Sequence, residues 1–316
     1  MEMRPLGRSG LTVAPIVFGG NVFGWTADEK TSFALLDAFV DHGFNGIDTA
    51  DVYSRFVEGN EGGESETIIG KWLKANPDKR DRIVLMTKVG MDMGPGGSGL
   101  SRSHIMDAVD ASLRRLQTDV IDLYQSHRPD GSVDDEETLS AYRELIEAGK
   151  VRAIGCSNFS AKQVRAALDT AKRNDLPRYE TLQPEFNLYD RDDFDDALRE
   201  TAAEEELGVI TYFSLASGFL SGKYRSKADL KKSQRGSRVE KYLDARGMSI
   251  LDALDSVSNK HDAKPAEVAL AWVIASPGVT APIASATSHD QLESLAKAAT
   301  LTLDADDMSA LDAAGR

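Results

Sequence analysis

The sequence predicts an α/β fold: eight strand–helix alternations closing into a (β/α)8 barrel, with an N-terminal β-hairpin and extra C-terminal helices. Three observations predict it. Short apolar runs recur along the chain and each ends abruptly in polar residues. Between them lie stretches with apolar positions at the spacing of one helix face. No Pro/Ser-rich linker or break in composition divides the 316 residues, so residues 1–316 read as one barrel domain.

Residues 3–15 alternate polar and apolar around Arg8-Ser9-Gly10, the pattern of a hairpin. Residues 13–18 read as the first buried strand, ending at Gly19-Gly20-Asn21. A helix follows at 28–42, with Phe33, Leu36, Phe39 and Val40 on one face. The second strand lies in GFNGIDTA (43–50), and a helix at 64–73 turns Ile68, Ile69 and Trp72 inward. Strand three is 83–89. A Gly-rich loop, 90–99, leads to a helix at 103–116 capped by Ser101 or Ser103. Strand four (120–126) precedes a helix at 135–148, and strand five (151–156) precedes a helix at 160–174 capped by Ser160. Strand six (179–186) is followed by a helix at 192–207, and strand seven (209–212) by a long irregular segment, 213–238. Helices at 239–260 and 265–275, strand eight at 281–284, and helices at 288–298 and 304–313 complete the chain.

The net charge of −14 argues against a nucleic-acid partner and in favour of solubility. No run of about 18 apolar residues is present to span a membrane, and residues 1–10 lack a signal-type apolar core. A single cysteine, Cys156, suits a reducing compartment, so a cytoplasmic location is expected. Cys156 reads as packing rather than as a nucleophile. The five histidines lie far apart, with no HxH or HExxH spacing, so no catalytic metal is expected. No GxSxG elbow is present either.

In parallel α/β folds chemistry sits at the C-terminal ends of strands. Three successive strand ends here deliver Asp48, Lys88 and His127, with Tyr53 in the loop beyond the first. Lys88 can pair with Asp48 and, by stabilising phenolate, is expected to lower the Tyr53 pKa toward neutrality. His127 can orient a substrate oxygen. The set suits protonation of a carbonyl oxygen; the plain alternative is an ion pair at the barrel rim. Between Lys223 and Lys241 eight basic residues face only Asp229 and Glu240, a local balance of 8 − 2 = +6 in an acidic chain. A solvated loop would explain that, but so would a polyanionic ligand. Ser214, Ser217, Gly218, Ser221 and Gly222 allow close backbone approach to a pyrophosphate. Lys223 and Arg238 would suit a 2′-phosphate, which favours NADP over NAD. Trp25, Phe56 and Phe213 are candidates to line an apolar pocket.

IDTADVY (47–53), Gly63-Glu64-Ser65-Glu66, Lys88, Ser126-His127-Arg128-Pro129-Asp130, GCSNFS (155–160), Gln183-Pro184 with Asn187, and LASGFLSGKY (215–224) together resemble the aldo-keto reductases. The likeness runs from Leu6 to about Leu303 and is nearest to the bacterial branch akin to potassium-channel β subunits. The resemblance implies a TIM barrel that binds NADPH/NADP+ without a Rossmann domain, and a catalytic tetrad of Asp48, Tyr53, Lys88 and His127 with Tyr53 as general acid. It implies Ser157, Asn158 and Gln183 on the nicotinamide carboxamide and Tyr212 stacked on the ring. Leu215, Ser217, Gly218, Leu220 and Lys223 would follow the pyrophosphate and the adenosine side, with Arg238, Thr287 and Gln291 near the 2′-phosphate and adenine. Gly20, Asn21, Asp48, Phe213, Ser214 and Ala286 complete the expected cofactor contacts. Three departures stand out. The family's usual Tyr-Ser-Pro-Leu is Tyr212-Phe213-Ser214-Leu215, so a pyrophosphate contact is lost or moves to Ser214. The usual Gly after strand eight is Ser285, and the usual Glu-Asn of the next helix is Ser294-Leu295.

The expected activity is reversible reduction of aldehydes or ketones on a small-molecule substrate. A cofactor-binding regulatory subunit with little turnover is the rival, and the channel subunits' Asn in place of His127 weighs against it.

Overall fold

The computed structural model describes residues 2–316. Two short strands, β1 (Arg4–Pro5) and β2 (Thr12–Val13), pair antiparallel as the expected hairpin. Eight parallel strands follow: β3 (Val17–Gly19), β4 (Gly46–Asp48), β5 (Val84–Val89), β6 (Ile121–Ser126), β7 (Val151–Ser157), β8 (Tyr179–Gln183), β9 (Gly208–Thr211) and β10 (Ala281–Ala284). They form a closed barrel, sealed where Ile283 and Ala284 of β10 pair with Val17 and Phe18 of β3. Eleven helices occur among the described residues: α1 (Glu29–Asp41), α2 (Glu64–Ala75), α3 (Arg102–Leu116), α4 (Asp135–Glu147), α5 (Ala161–Arg173), α6 (Asp196–Glu204), α7 (Gly236–Val239), α8 (Ala245–His261), α9 (Pro265–Ala275), α10 (His289–Ala298) and α11 (Ala305–Ala314). None is long and apolar enough to cross a membrane.

The core has two layers. The larger packs the outward side chains of the strands against the helices, with Phe18, Phe39, Trp72, Tyr142 and Trp272 among its large members. The smaller fills the barrel: Val17, Val84, Met86, Leu123, Ala153, Ile210 and Ile283, with Leu6 and Val13 of the hairpin plugging its N-terminal mouth. Side chains alternate in and out with period two. Because Met86 and Leu123 point inward, Lys88 and Gln125 two residues later must do so as well, and the register sets those two directly opposite one another. The barrel interior therefore changes from apolar to polar in its last layer, which is where the site lies.

Four elements differ from the sequence reading, each for a local reason. Pro15 ends the hairpin strand, so the first barrel strand begins at Val17 rather than at 13. Strand six stops at Gln183 because Pro184 has no N–H to give. The helix expected over 192–207 breaks at Asp195, whose carboxylate caps α6 by accepting from the Leu198 N–H after a 3-10 turn at Asp192–Phe194. The segment 213–238 is not irregular: it is a chain of 3-10 turns (Ala216–Ser221, Lys227–Lys232) leading into α7, and α8 begins only at Ala245, capped by Asp244.

Candidate active site

A cleft of about 880 Å³ opens at the C-terminal end of the barrel. Its floor is made by side chains from β4, β5, β6 and β8. Lys88 is fully buried, and its Nζ donates to Asp48 Oδ2 at 2.6 Å, to Tyr53 Oη at 2.9 Å and to the Thr49 carbonyl at 2.9 Å. Tyr53 Oη stands 3.5 Å from the same Asp48 oxygen. The other oxygen, Oδ1, accepts from Gln183 Nε2 at 3.0 Å and Gln125 Nε2 at 3.3 Å. A buried ammonium thus satisfies all three of its donors. The His127 ring meets that of Tyr53 edge to face at 6.0 Å between centroids. All four candidate catalytic residues come together.

The electrostatics correct one expectation. Lys88 does pull the phenol of Tyr53 down, but burial outweighs it and Asp48 adds to the rise, so Tyr53 is held above its ordinary value of 10.0. Tyr53 keeps its proton at neutral pH. Burial alone would lower Lys88, yet Asp48 and Tyr53 together raise it, so it remains an ammonium. His127 is pushed well below 6.5 by burial and by the charges of Lys88 and Arg128. It is a neutral imidazole whose buried Nδ1 has no partner among the described residues.

Beside this floor Ser157 Oγ donates to the Gln183 carbonyl at 2.7 Å. Asn158, at φ 63°, gives its amide to the His127 carbonyl at 2.8 Å and receives the Tyr212 hydroxyl on Oδ1 at 2.7 Å. Gln183 gives its Nε2 to Asp48 Oδ1 and Gln125 Oε1 and lines the cleft together with Ser157 and Asn158. After β9 the backbone passes through left-handed conformations at Phe213 (φ 52°), Ala216 (φ 49°), Ser217 (φ 57°) and Gly218 (φ 95°). Within this run the Ala216 and Gly218 N–H groups close turns on the Phe213 and Leu215 carbonyls at 2.7 and 2.8 Å. Phe213, Leu215, Ser217, Gly218, Lys223 and Arg238 line the cleft there. Asn21, Thr287 and Gln291 line its far wall, with Thr287 N–H donating to Gln291 Oε1 at 2.8 Å.

Several expected contacts are not brought in. Gly20, Leu220 and Ala286 are buried behind the cleft wall; Gly19 lines it in place of Gly20, and Leu220 and Ala286 belong to the apolar core. Ser214 does line the cleft, although it is 1% exposed and its hydroxyl donates to the Thr211 carbonyl at 3.3 Å. Ser285 reaches the Gly19 carbonyl and Asn21 Oδ1, both at 2.7 Å, and so immobilises Asn21. Trp25 lies outside the main cleft: it meets Phe56 edge to face at 4.9 Å and carries the guanidinium of Arg235 over its ring. The +6 segment is also less free than its count implies, since Arg225, Lys227, Lys232 and Lys241 pair with Asp255, Glu240, Asp229 and Asp190.

Sequence reasoning did not single out Arg235 or Lys264 as site residues. Arg235 lines the cleft with Nη2 buried and unpartnered among the described residues. Lys264 reaches in from the start of α9, its Nζ donating to Ser294 Oγ at 3.2 Å. Lys223, Arg235, Arg238 and Lys264 thus gather at one end of the cleft, where Asp290 is the acid among the lining residues. Cations gathered at one end of a cleft, one of them with an unmet donor, fit a phosphorylated dinucleotide.

Asp51 lies just behind the site. It is 2% exposed and neither carboxylate oxygen has a hydrogen-bond partner among the described residues. Burial, with the charge of Glu66 adding to it, pushes it up to about 8. An unfolded carboxyl titrates near ~3.9. The fold therefore loses stability as pH rises from about 4 toward 8, and the loss levels off above that. Asp51→Asn keeps the shape without the charge. In urea unfolding its advantage over the parent is expected to widen by about 2 kcal/mol between pH 6 and 8.5. A constant gap would mean that Asp51 is already ionised in the native state.

The sequence profile of the Aldo/keto reductase family matches residues 15–316. An uncharacterized oxidoreductase, YrpG, of Bacillus subtilis (strain 168) is 35% identical over 311 residues, 96% of this chain and 93% of its own. A probable voltage-gated potassium channel subunit beta of Arabidopsis thaliana is 33% identical over 307 residues, 94% of this chain and 91% of its own. The aldo-keto reductase YhdN of Bacillus subtilis (strain 168) is 32% identical over 318 residues, 97% and 91%. The chain belongs to the aldo/keto reductase family of oxidoreductases.

Proposed function

We propose that the protein reduces aldehydes or ketones to alcohols with NADPH, reversibly, and that Tyr53 is the general acid. The observation that carries this reading is Lys88 Nζ bridging Asp48 Oδ2 at 2.6 Å and Tyr53 Oη at 2.9 Å on the floor of the cleft. The family generally works with NAD(P)H, and the reduced nicotinamide supplies hydride to the carbonyl carbon. Tyr53 gives its proton to the carbonyl oxygen as negative charge develops there. Lys88 stabilises the phenolate left behind, and Asp48 keeps Lys88 charged and aimed. His127, neutral and facing the Tyr53 ring, holds the carbonyl oxygen by a hydrogen bond. Ser157, Asn158 and Gln183 would hold the carboxamide of a bound cofactor and Tyr212 its ring; the segment Ala216–Ser221 would hold the pyrophosphate, and Lys223 with Arg238 the 2′-phosphate. The protein would work in the cytoplasm on small molecules, without a nucleic-acid or membrane partner.

NADPH titration by protein fluorescence, then NADPH consumption with a panel of carbonyls, tests the reading. Lys223→Ala with Arg238→Ala is expected to weaken NADPH on the order of 100-fold while changing NADH little, since each residue removes a charge-assisted bond to a group NADH lacks. Equal loss for both cofactors would reject the 2′-phosphate assignment. The relatives whose names mark them as channel β subunits favour a second reading, an NADP(H)-binding redox-sensing subunit with little turnover. Tight NADPH binding with no turnover on any carbonyl would select it.

A further inference from the structure

The cleft's cations fall into two groups, and the cofactor reading uses only one. Lys223, Arg235, Arg238 and Lys264 stand on the segments after β9 and at the start of α9. Arg55 and Arg128 stand elsewhere, on the loops after β4 and β6 that also carry Tyr53 and His127. Arg55 has an acid to balance it, Asp92 at 3.9 Å. Arg128 has none. No carboxylate lies within 4.0 Å of its guanidinium among the described residues, although the chain carries 51 acidic side chains. Its nearest acidic neighbour in sequence, Asp130, is otherwise engaged. Asp130 Oδ2 accepts from Leu100 N–H at 2.8 Å, and Oδ1 accepts from Ser132 N–H at 2.9 Å and Ser132 Oγ at 2.6 Å. Asp130 thus closes the loop and feels the charge of Arg128 only from beyond ion-pair distance, while Arg128, an exposed side chain, lines the cleft. The charge of Arg128 also reaches the reacting end, where it helps to hold His127 neutral. Val52, Phe56 and Met91 line the cleft as well and supply apolar surface.

We propose that Arg128 receives a carboxylate of the substrate, so that the carbonyl compound reduced here has an apolar body and an anionic end. This rests on the carbonyl-reduction reading. A planar guanidinium matches a carboxylate with two parallel N–H···O bonds. The other cation of this group, Arg55, is already balanced by Asp92, so the one free charge suits a monoanion better than a phosphate dianion. Recognition of the anionic end would position the substrate rather than drive the chemistry, so its effect belongs mainly in KM.

The test compares 4-carboxybenzaldehyde with methyl 4-formylbenzoate, which share the ring and the aldehyde and differ in charge. With NADPH the acid is expected to have at least a tenfold higher kcat/KM, the difference lying in KM. Arg128→Gln should cost the acid at least ten times more in kcat/KM than it costs the ester, and Arg128→Lys should restore part of the difference. If the parent reduces both equally well, or if Arg128→Gln lowers both alike, the carboxylate assignment fails while the carbonyl-reduction reading stands. If neither compound, nor 4-nitrobenzaldehyde, is reduced, both fail together.

Discussion

Tyr53→Phe is expected to lower kcat on the order of 10³-fold while leaving NADPH affinity within about threefold. The phenylalanine ring fills the same half-buried space, so the edge-to-face contact with His127 survives and the cleft keeps its shape. What disappears is one hydroxyl that meets Lys88 Nζ at 2.9 Å. Because burial holds this phenol above its ordinary value, the parent carries the proton throughout the neutral range. Reduction should therefore not fall until the pH exceeds the ordinary tyrosine range, and the mutant should lack that alkaline limb. Stopped-flow NADPH oxidation on a single aldehyde measures the first effect, and the pH profile of kcat/KM measures the second. A mutant that keeps a tenth or more of its rate would show that the proton comes from elsewhere. His127 would then be the first group to examine, although its depressed pKa leaves little of it protonated at neutral pH.

The parts of this site that were legible from sequence share a physical origin. Asp48, Lys88 and His127 each stand where a buried apolar run gives way to polar residues, and in a closed parallel barrel that transition marks the catalytic end. The tetrad could therefore be read without coordinates. What could not be read depends on partners far away in the chain. Gln125 and Gln183 hold Asp48 from two further strands, and no local pattern announces that. The basic segment was legible as a count but not as a field, because Asp190 and Asp255, two of the acids that neutralise it, lie outside it. The phenol's direction of shift was misjudged because sequence shows the neighbouring ammonium but not the depth of burial. Arg128 is the converse case. Its near neighbour Asp130 invites a pairing in sequence, and only the loop's own hydrogen bonds show that this acid is engaged elsewhere.

Lys88→Met is expected to remove both activity and stability, and the second effect is the more informative. Lys88 is 0% exposed and Asp48 1%, so the pair is sealed from water. Removing the ammonium leaves a buried carboxylate whose remaining neighbours are two glutamine amides and the Tyr53 hydroxyl. Breaking a buried pair in this way costs about 3–5 kcal/mol, a large share of the roughly 5–15 kcal/mol that holds an ordinary domain together. The Thr49 carbonyl loses its donor as well. Tyr53 loses the charge that pulls its phenol down, so its pKa should climb further and its proton become harder to transfer. Asp48→Asn combined with Lys88→Met removes both charges and should recover part of the stability, because no uncompensated ion remains. It should recover none of the turnover, because nothing then stabilises the phenolate. The midpoint of urea unfolding for parent, both single mutants and the double mutant closes a thermodynamic cycle whose coupling term measures the pair directly. If Lys88→Met unfolds at the parent's urea concentration, the pair does not hold this end of the barrel. Asp48 must then be taking up a proton or water in place of the ammonium, and the role of Lys88 would be confined to the chemistry at Tyr53.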